Sequence, residues 1–401
     1  MKIGKESIYN QPAGGFGAVS AYARQLQREA LERGEALLPP RPLQMGEPDF
    51  LTPTHIRKAA IEALEREVIP YGPPPGWPWF RDLLAEKIRR VNGYHVGVEN
   101  VVATMGGTNA LQSIFHTTVG PGDEVLIPDP CWPVYYTQLL ACGATVVPYH
   151  LDPANEWLPS VAELEQLVTP RTRMLLINTP GNPTGAVFPR ELIADLLAFA
   201  LRHDLYLLSD ECYDQIVFEG EHVSPATLLG EGELEQGHFI GVYTFSKTYA
   251  MTGWRVGYAV ASKALIKSIS EVLAGSHTNV SLISQRAAAA ALTGPQDCVT
   301  TMREAYRRRR DLATRLLKEH DRYIYTPHGA FYALIDVRDR TGRVSRRDNQ
   351  FALDLLREYN VMIAPGNSFG ATSAEFVRIS LAASDEDVEY GVRAICEFAD
   401  K

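Results

Sequence analysis

Ser246, Lys247 and Arg255 are the residues whose types and spacing carry the most chemistry in this sequence. Lys247 follows the apolar run Phe239-Ile240-Gly241-Val242-Tyr243 and leads into a further apolar stretch, which draws its stem inward. Burial penalises an ammonium, whereas a Schiff base to a carbonyl cofactor removes the charge and gives an interior lysine a use. Ser246 and Arg255 flank it with a hydroxyl donor and a guanidinium fork, a pair suited to one anion. Together the three fit a phosphorylated aldehyde. A surface lysine beside a charged loop would have the same local sequence, so the remainder of such a site has to be found elsewhere in the chain.

Other residues suit the same chemistry. Gly106-Gly107-Thr108 precedes a helical stretch, and a helix N-terminus with exposed N–H groups and a nearby hydroxyl attracts a phosphate. Asp210 ends the apolar run Leu205-Tyr206-Leu207-Leu208-Ser209, where a carboxylate without a cation would suffer desolvation; a protonated pyridine nitrogen is a fitting partner. In Asn178-Thr179-Pro180-Gly181-Asn182-Pro183-Thr184-Gly185, Pro and Gly set the turn and Asn182 offers a neutral amide donor to a ring oxygen. Trp132, in Pro128-Asp129-Pro130-Cys131-Trp132-Pro133, is either a plate for a flat ring or core packing. Arg378, within Phe376-Val377-Arg378-Ile379-Ser380, is a poor core residue unless a carboxylate forks onto it, from a ligand or from a structural salt bridge.

These residues need elements that deliver them to one place. Short β-branched runs at 101–104, 124–127, 145–148, 174–178, 206–209, 239–243 and 256–260 alternate with helical stretches, which predicts an α/β unit with a mainly parallel seven-stranded sheet. Ligands of such sheets gather at the C-terminal ends of strands, where the suspicious residues lie. Helices are predicted over 53–67, 285–293 and 297–320, strands over 330–336 and 376–380. Val19, Tyr22, Ala23, Leu26, Ala30 and Leu31 recur at helical spacing up to Gly34. The segment before them, Gln11-Pro12-Ala13-Gly14-Gly15-Phe16-Gly17, is too flexible for a core element, is either a lid or a loose terminus, and lacks the GxGxxG spacing of a nicotinamide site. The expected division is 1–49 (arm and part of a small domain), 50–290 (large α/β domain) and 291–401 (small α+β domain).

Composition limits the alternatives. The 401 residues are 45% hydrophobic and 22% charged, with a net charge of −9 that offers nucleic acid no footprint. The basic run Arg307-Arg308-Arg309-Arg310 reads as a solvated helix face. Five cysteines, Cys131, Cys142, Cys212, Cys298 and Cys396, show no metal spacing, and with no apolar run of membrane length and no signal-like start the expected compartment is the cytoplasm, with thiols reduced and no membrane partner.

Thr244-Phe245-Ser246-Lys247 through Gly257 resembles the lysine-site signature of class I pyridoxal-phosphate aminotransferases, with Thr244 where the pattern usually has glycine or serine. Gly46-Glu47-Pro48-Asp49-Phe50, the Asn182-Pro183-Thr184-Gly185 turn, Pro365-Gly366-Asn367-Ser368-Phe369-Gly370 and the Arg378 segment follow in that family's order between Gly46 and Ser380. The resemblance implies a fold-type I transferase that moves an amino group between a 2-amino acid and a 2-oxo acid through pyridoxal 5'-phosphate on Lys247. It implies Asp210 on the pyridine nitrogen, Asn182 and Tyr213 on the ring oxygen, Trp132 on the ring face, and Gly107, Thr108, Ser246 and Arg255 on the phosphate. Gly46, Asn182 and Arg378 are implied at the substrate carboxylate, and Tyr71 at the phosphate of a partner subunit in a homodimer. Trp77 and Trp79 depart from the pattern and are either pocket wall or packing. The same site runs lyase chemistry on related folds, such as C–S β-elimination or cyclopropane closure. A regulator of this fold is the non-enzymatic alternative, but residues 1–45 lack the two-helix unit and positive charge of a DNA-binding module. Where some members active on aspartate and prephenate carry a lysine for the distal carboxylate, this chain has Thr108, which predicts a preference for neutral, apolar or aromatic amino acids unless His277 supplies a cation.

Overall fold

In the computed structural model, residues 14–34, 39–339, 342 and 349–401 are described. The glycine-rich segment splits: residues 11–13 lie outside the described ones, and Gly14 to Gly17 open the helix Gly14–Glu32 rather than a loop. Val19, Ala23 and Ala30 of that helix are buried and Leu31 is exposed, because the inward stripe runs by steps of three and four and Leu31 falls one residue off it.

Strand β1 (Arg41–Pro42) lies in the small domain, and β2 (Val101–Thr104) begins the large sheet, which continues with β3 (Glu124–Asp129), β4 (Thr145–Asp152), β5 (Leu158–Pro159), β6 (Thr172–Asn178), β7 (Tyr206–Asp210), β8 (Phe239–Thr244) and β9 (Gly257–Val260). The order is β2-β9-β8-β7-β6-β3-β4-β5. The sequence predicted seven strands; the eighth is two-residue β5, too short to show a period, paired antiparallel with β4. Pairs β3–β4, β3–β6, β6–β7 and β7–β8 are parallel, while β9 runs antiparallel to both neighbours. Helices cover both faces, so the central strands are apolar throughout. Val125, Ile127, Met174, Leu176 and Leu208 enter one core, and Leu126, Leu175, Ile177 and Leu207 the other, following the two-residue alternation of a strand.

The small domain carries β10 (Tyr332–Asp336), β11 (Val361–Met362), β12 (Ala364–Pro365) and β13 (Phe376–Ser380), with β13 central to an antiparallel sheet of order β10-β13-β12. Arg378 pairs in register with Leu334 and Ala364. Strand β1 pairs parallel with β11, and Val19, Ala23 and Leu43 share a core with residues from Met302 to Ala399, which ties the N-terminal segment to the C-terminal one.

The arginine run departs from the solvated face expected of it. Arg307 and Arg308 are exposed, but Arg309 and Arg310 are buried, since a helix of 3.6 residues per turn cannot point four consecutive side chains at water. Each buried guanidinium meets carboxylates: Arg309 meets Asp49 and Asp385, and Arg310 meets Glu219. Among the described residues no helix is long and apolar enough to cross a membrane.

Candidate active site

A cavity of about 500 Å³ opens at the C-terminal ends of the central parallel strands, where the small domain meets the large one. Gly46, Gly107, Thr108, Trp132, Asn182, Asp210, Tyr213, Ser246, Lys247, Arg255 and Arg378 all line it. The sheet accounts for the convergence. Asn178 and Asp210 are register partners at the ends of β6 and β7, and the turn after β6 carries Asn182. Thr244 ends β8, which places Ser246 and Lys247 just beyond it.

Lys247 is half-buried and its Nζ donates to the Gly46 carbonyl at 2.6 Å. Gly46 has no room for a side chain, because a Cβ there would stand 2.0 Å from Tyr332 Oη. Asp210 is buried, accepting from Tyr135 Oη at 2.6 Å and from the Cys212 amide at 3.2 Å. Burial pushes its carboxyl above the usual carboxylate range, and the hydrogen bonds from Cys212 and Tyr135 oppose that shift. No cation pairs with Asp210 among the described residues.

Arg378, also in the lining, is buried, and its guanidinium donates to Asn182 Oδ1 at 3.0 Å and to the Gln44 carbonyl at 2.5 Å. Its Cζ lies 4.3 Å from the Tyr332 ring centroid and 4.8 Å from that of Phe369; desolvation lowers it from the ordinary arginine value. Because Asn182 Oδ1 accepts from a guanidinium, the amide orientation is set and Nδ2 is left to donate elsewhere. Tyr213 is buried and shares a 2.8 Å hydrogen bond with Tyr332 Oη.

A further part of the lining lies at the start of helix Gly107–Thr118. Gly106, at φ 82, adopts a conformation costly for other residues, and a Cβ there would meet Arg255 Nη2 at 2.8 Å. Arg255 is held by the carbonyls of Thr252 (2.7 Å) and Met105 (3.3 Å), and Ser246 Oγ accepts from Thr244 Oγ1 at 2.9 Å. Trp132 packs edge-on against Tyr135, with centroids 5.6 Å apart.

Tyr71 does not join the cavity; it is 87% exposed on this chain. His277 is not a lining residue either, its Nδ1 lying 3.3 Å from Asn109 Nδ2 and 2.7 Å from Ser276 Oγ. Trp77 and Trp79 belong to a packing cluster, with Arg286 over the Trp79 ring at 4.3 Å. Sequence reading missed Tyr135, Tyr332, Gln44 and Cys212, all of which line the cavity. Tyr135 has a signal only in hindsight, three positions beyond Trp132 at a helix start. Among the described residues no group of three or more His, Cys, Asp or Glu is arranged to hold a metal.

Comparison with known proteins identifies the family. Residues 42–395 match the family Aminotransferase class I and II. The chain is 39% identical over 374 residues to the aspartate/prephenate aminotransferase of Thermus thermophilus, covering 92% of each. It is 35% identical over 392 residues to an arginine–pyruvate transaminase of Pseudomonas aeruginosa, covering 97% of this chain and 96% of that one. A single mutant of Thermus thermophilus aspartate aminotransferase superposes with a TM-score of 0.90 at 36% identity, over 99% of this chain and 100% of that chain. The family depends on pyridoxal phosphate. The chain belongs to the class I and II aminotransferases and is a transaminase, acting on an amino acid and an oxo acid.

Proposed function

We propose that the cavity takes pyridoxal 5'-phosphate on Lys247 and that the chain moves an amino group between a neutral 2-amino acid and a 2-oxo acid. The observation that carries the cofactor's placement is Asp210, a buried carboxylate with no cation beside it among the described residues and with two donors already on it. A protonated ring nitrogen is the partner that makes such a carboxylate favourable. When bound, the cofactor supplies an electron sink for the charge left as the substrate Cα loses its proton.

The remaining steps fall to the chain's own side chains. Gly107 and Thr108 at the helix start, with Ser246 and Arg255, would hold the phosphate through N–H groups, hydroxyls and the guanidinium fork. Trp132 would cover a ring face, and Asn182 Nδ2 and the Tyr213 hydroxyl would hold the ring oxygen. Arg378 would fork the substrate α-carboxylate beside Gly46, and the Lys247 amine would hold and move the Cα proton. Tyr71 serves the phosphate of a second copy. Ile61, Leu64, Val68 and Tyr71 are exposed apolar or aromatic side chains on this chain, of the kind a homodimer would cover.

Substrate choice follows from the charges in the cavity. Its cations among the described residues are Lys247, Arg255 and Arg378, each with a task above, and Thr108 offers a distal carboxylate only a hydroxyl. The test of the reaction is addition of an amino acid alone. Stoichiometric pyridoxamine phosphate is expected, whereas release of ammonia or a thiol with return of the aldehyde would identify a lyase. Lys247→Ala should abolish turnover.

A further inference from the structure

The arginine run singled out in the sequence finds a use that the reaction just described does not absorb. Arg309, on helix Asp297–Glu319, is 6% exposed and forks onto Asp49: Nη1 donates to Oδ1 at 2.9 Å and Nη2 to Oδ2 at 2.8 Å. Its Nε donates to Asp385 Oδ1 at 2.9 Å and Nη1 also reaches the Leu381 carbonyl at 3.2 Å. The guanidinium lies over the rings of Phe50 and Tyr306, at 5.6 and 5.9 Å. A planar fork spent this fully has little freedom left, so Asp49 is held in direction as well as in distance.

Asp49 closes the loop that begins at Gln44. This loop supplies the Gln44 carbonyl to Arg378 and the Gly46 carbonyl to Lys247. On its large-domain side it is fastened by Thr252 Oγ1 donating to Glu47 Oε1 at 2.5 Å, and just beyond the loop Thr52 Oγ1 donates to the Ala250 carbonyl at 2.5 Å. On its small-domain side the Ser380 amide donates to the Leu43 carbonyl at 2.7 Å, and Arg309 holds Asp49. Leu381, the other carbonyl on Arg309, directly follows the strand that carries Arg378.

We infer that Arg309 is a positioning residue for the substrate end of the site: through Asp49 it sets the Gln44-to-Asp49 loop against Arg378. The inference rests on the assignment of Arg378 and Gly46 to the substrate carboxylate. Arg309 is not among the residues that line the cavity, so its loss should weaken substrate capture and leave the cofactor in place.

The experiment uses the cofactor-loaded enzyme and three variants, Asp49→Asn, Arg309→Lys and Arg308→Gln. Asp49→Asn keeps the shape and removes the charge; Arg309→Lys keeps the charge and removes the fork. Both should raise KM for the amino donor by about tenfold, with kcat and the visible spectrum of the bound cofactor close to wild type. Arg308→Gln breaks the bridge from Arg308 to Asp385, which does not touch the loop, and should leave KM unchanged. Wild-type KM in both Asp49→Asn and Arg309→Lys overturns the inference, as does an equal rise in Arg308→Gln, which would show a general loss of stability. If Arg309→Lys does not fold, Asp49→Asn decides alone. Failure of wild type to form pyridoxamine phosphate would instead reject the proposed reaction itself.

Discussion

Tyr135 Oη donates to Asp210 Oδ2 at 2.6 Å, joining the first turn of a helix after β3 to the last residue of β7. Both residues are buried, so the hydrogen bond is made out of water's reach. It supports the ionised carboxylate in a place where burial alone favours the acid.

Tyr135→Phe deletes that donor and leaves the ring, so its effect on activity should be electrostatic rather than steric. With Asp210 harder to ionise, kcat/KM should fall about tenfold and cofactor should be retained less tightly. Steady-state kinetics and equilibrium dialysis measure the two, and unchanged values in both would show that Tyr135 only packs.

The raised Asp210 value also has a consequence for the cofactor-free protein. The native carboxyl binds its proton at a pH where the unfolded one has already lost it, so the native state holds more protons in that window and stability falls as pH rises through it. Thermal melts of apoprotein against pH should show this decline, and Asp210→Asn should flatten it. Asp385 behaves oppositely: Arg308 hydrogen bonding, with Arg309, lowers it to about 2, so its contribution is present above the unfolded carboxylate value and is lost as pH falls toward about 2. It is largely solvent-accessible, and Asp385→Asn should cost no more than about 1 kcal/mol at neutral pH.

Tyr71 should matter only in the assembled protein. Sedimentation is expected to find a dimer, and Tyr71→Phe should weaken cofactor affinity by about tenfold or more while leaving the fold intact, as loss of one hydrogen bond to a charged phosphate would. A fully active monomer at assay concentration would reject the crossing tyrosine.

Amino donors compared with one fixed 2-oxo acceptor should rank leucine, phenylalanine and methionine above aspartate by at least about tenfold in kcat/KM, because a distal carboxylate buried without a cation is costly. A preference for aspartate would direct the search to a cation from the partner subunit.

What the sequence determined by itself was local and periodic. The short apolar run from Val125 to Ile127 marked a strand, and the chemistry of Lys247, Asp210 and Arg378 stood out because charged groups in apolar runs need partners. Turn residues around Asn182 were equally legible. Tertiary structure alone decided which distant side chains complete these groups: Tyr135 on Asp210, Tyr332 against Gly46 and Tyr213, Gln44 on Arg378. It also decided that Arg309 faces inward to Asp49, 260 positions away, where composition suggested a solvated face. Helical period says that some of four adjacent arginines must turn from water, but which ones do, and which carboxylate meets them, depends on the packing of two domains that no local pattern encodes.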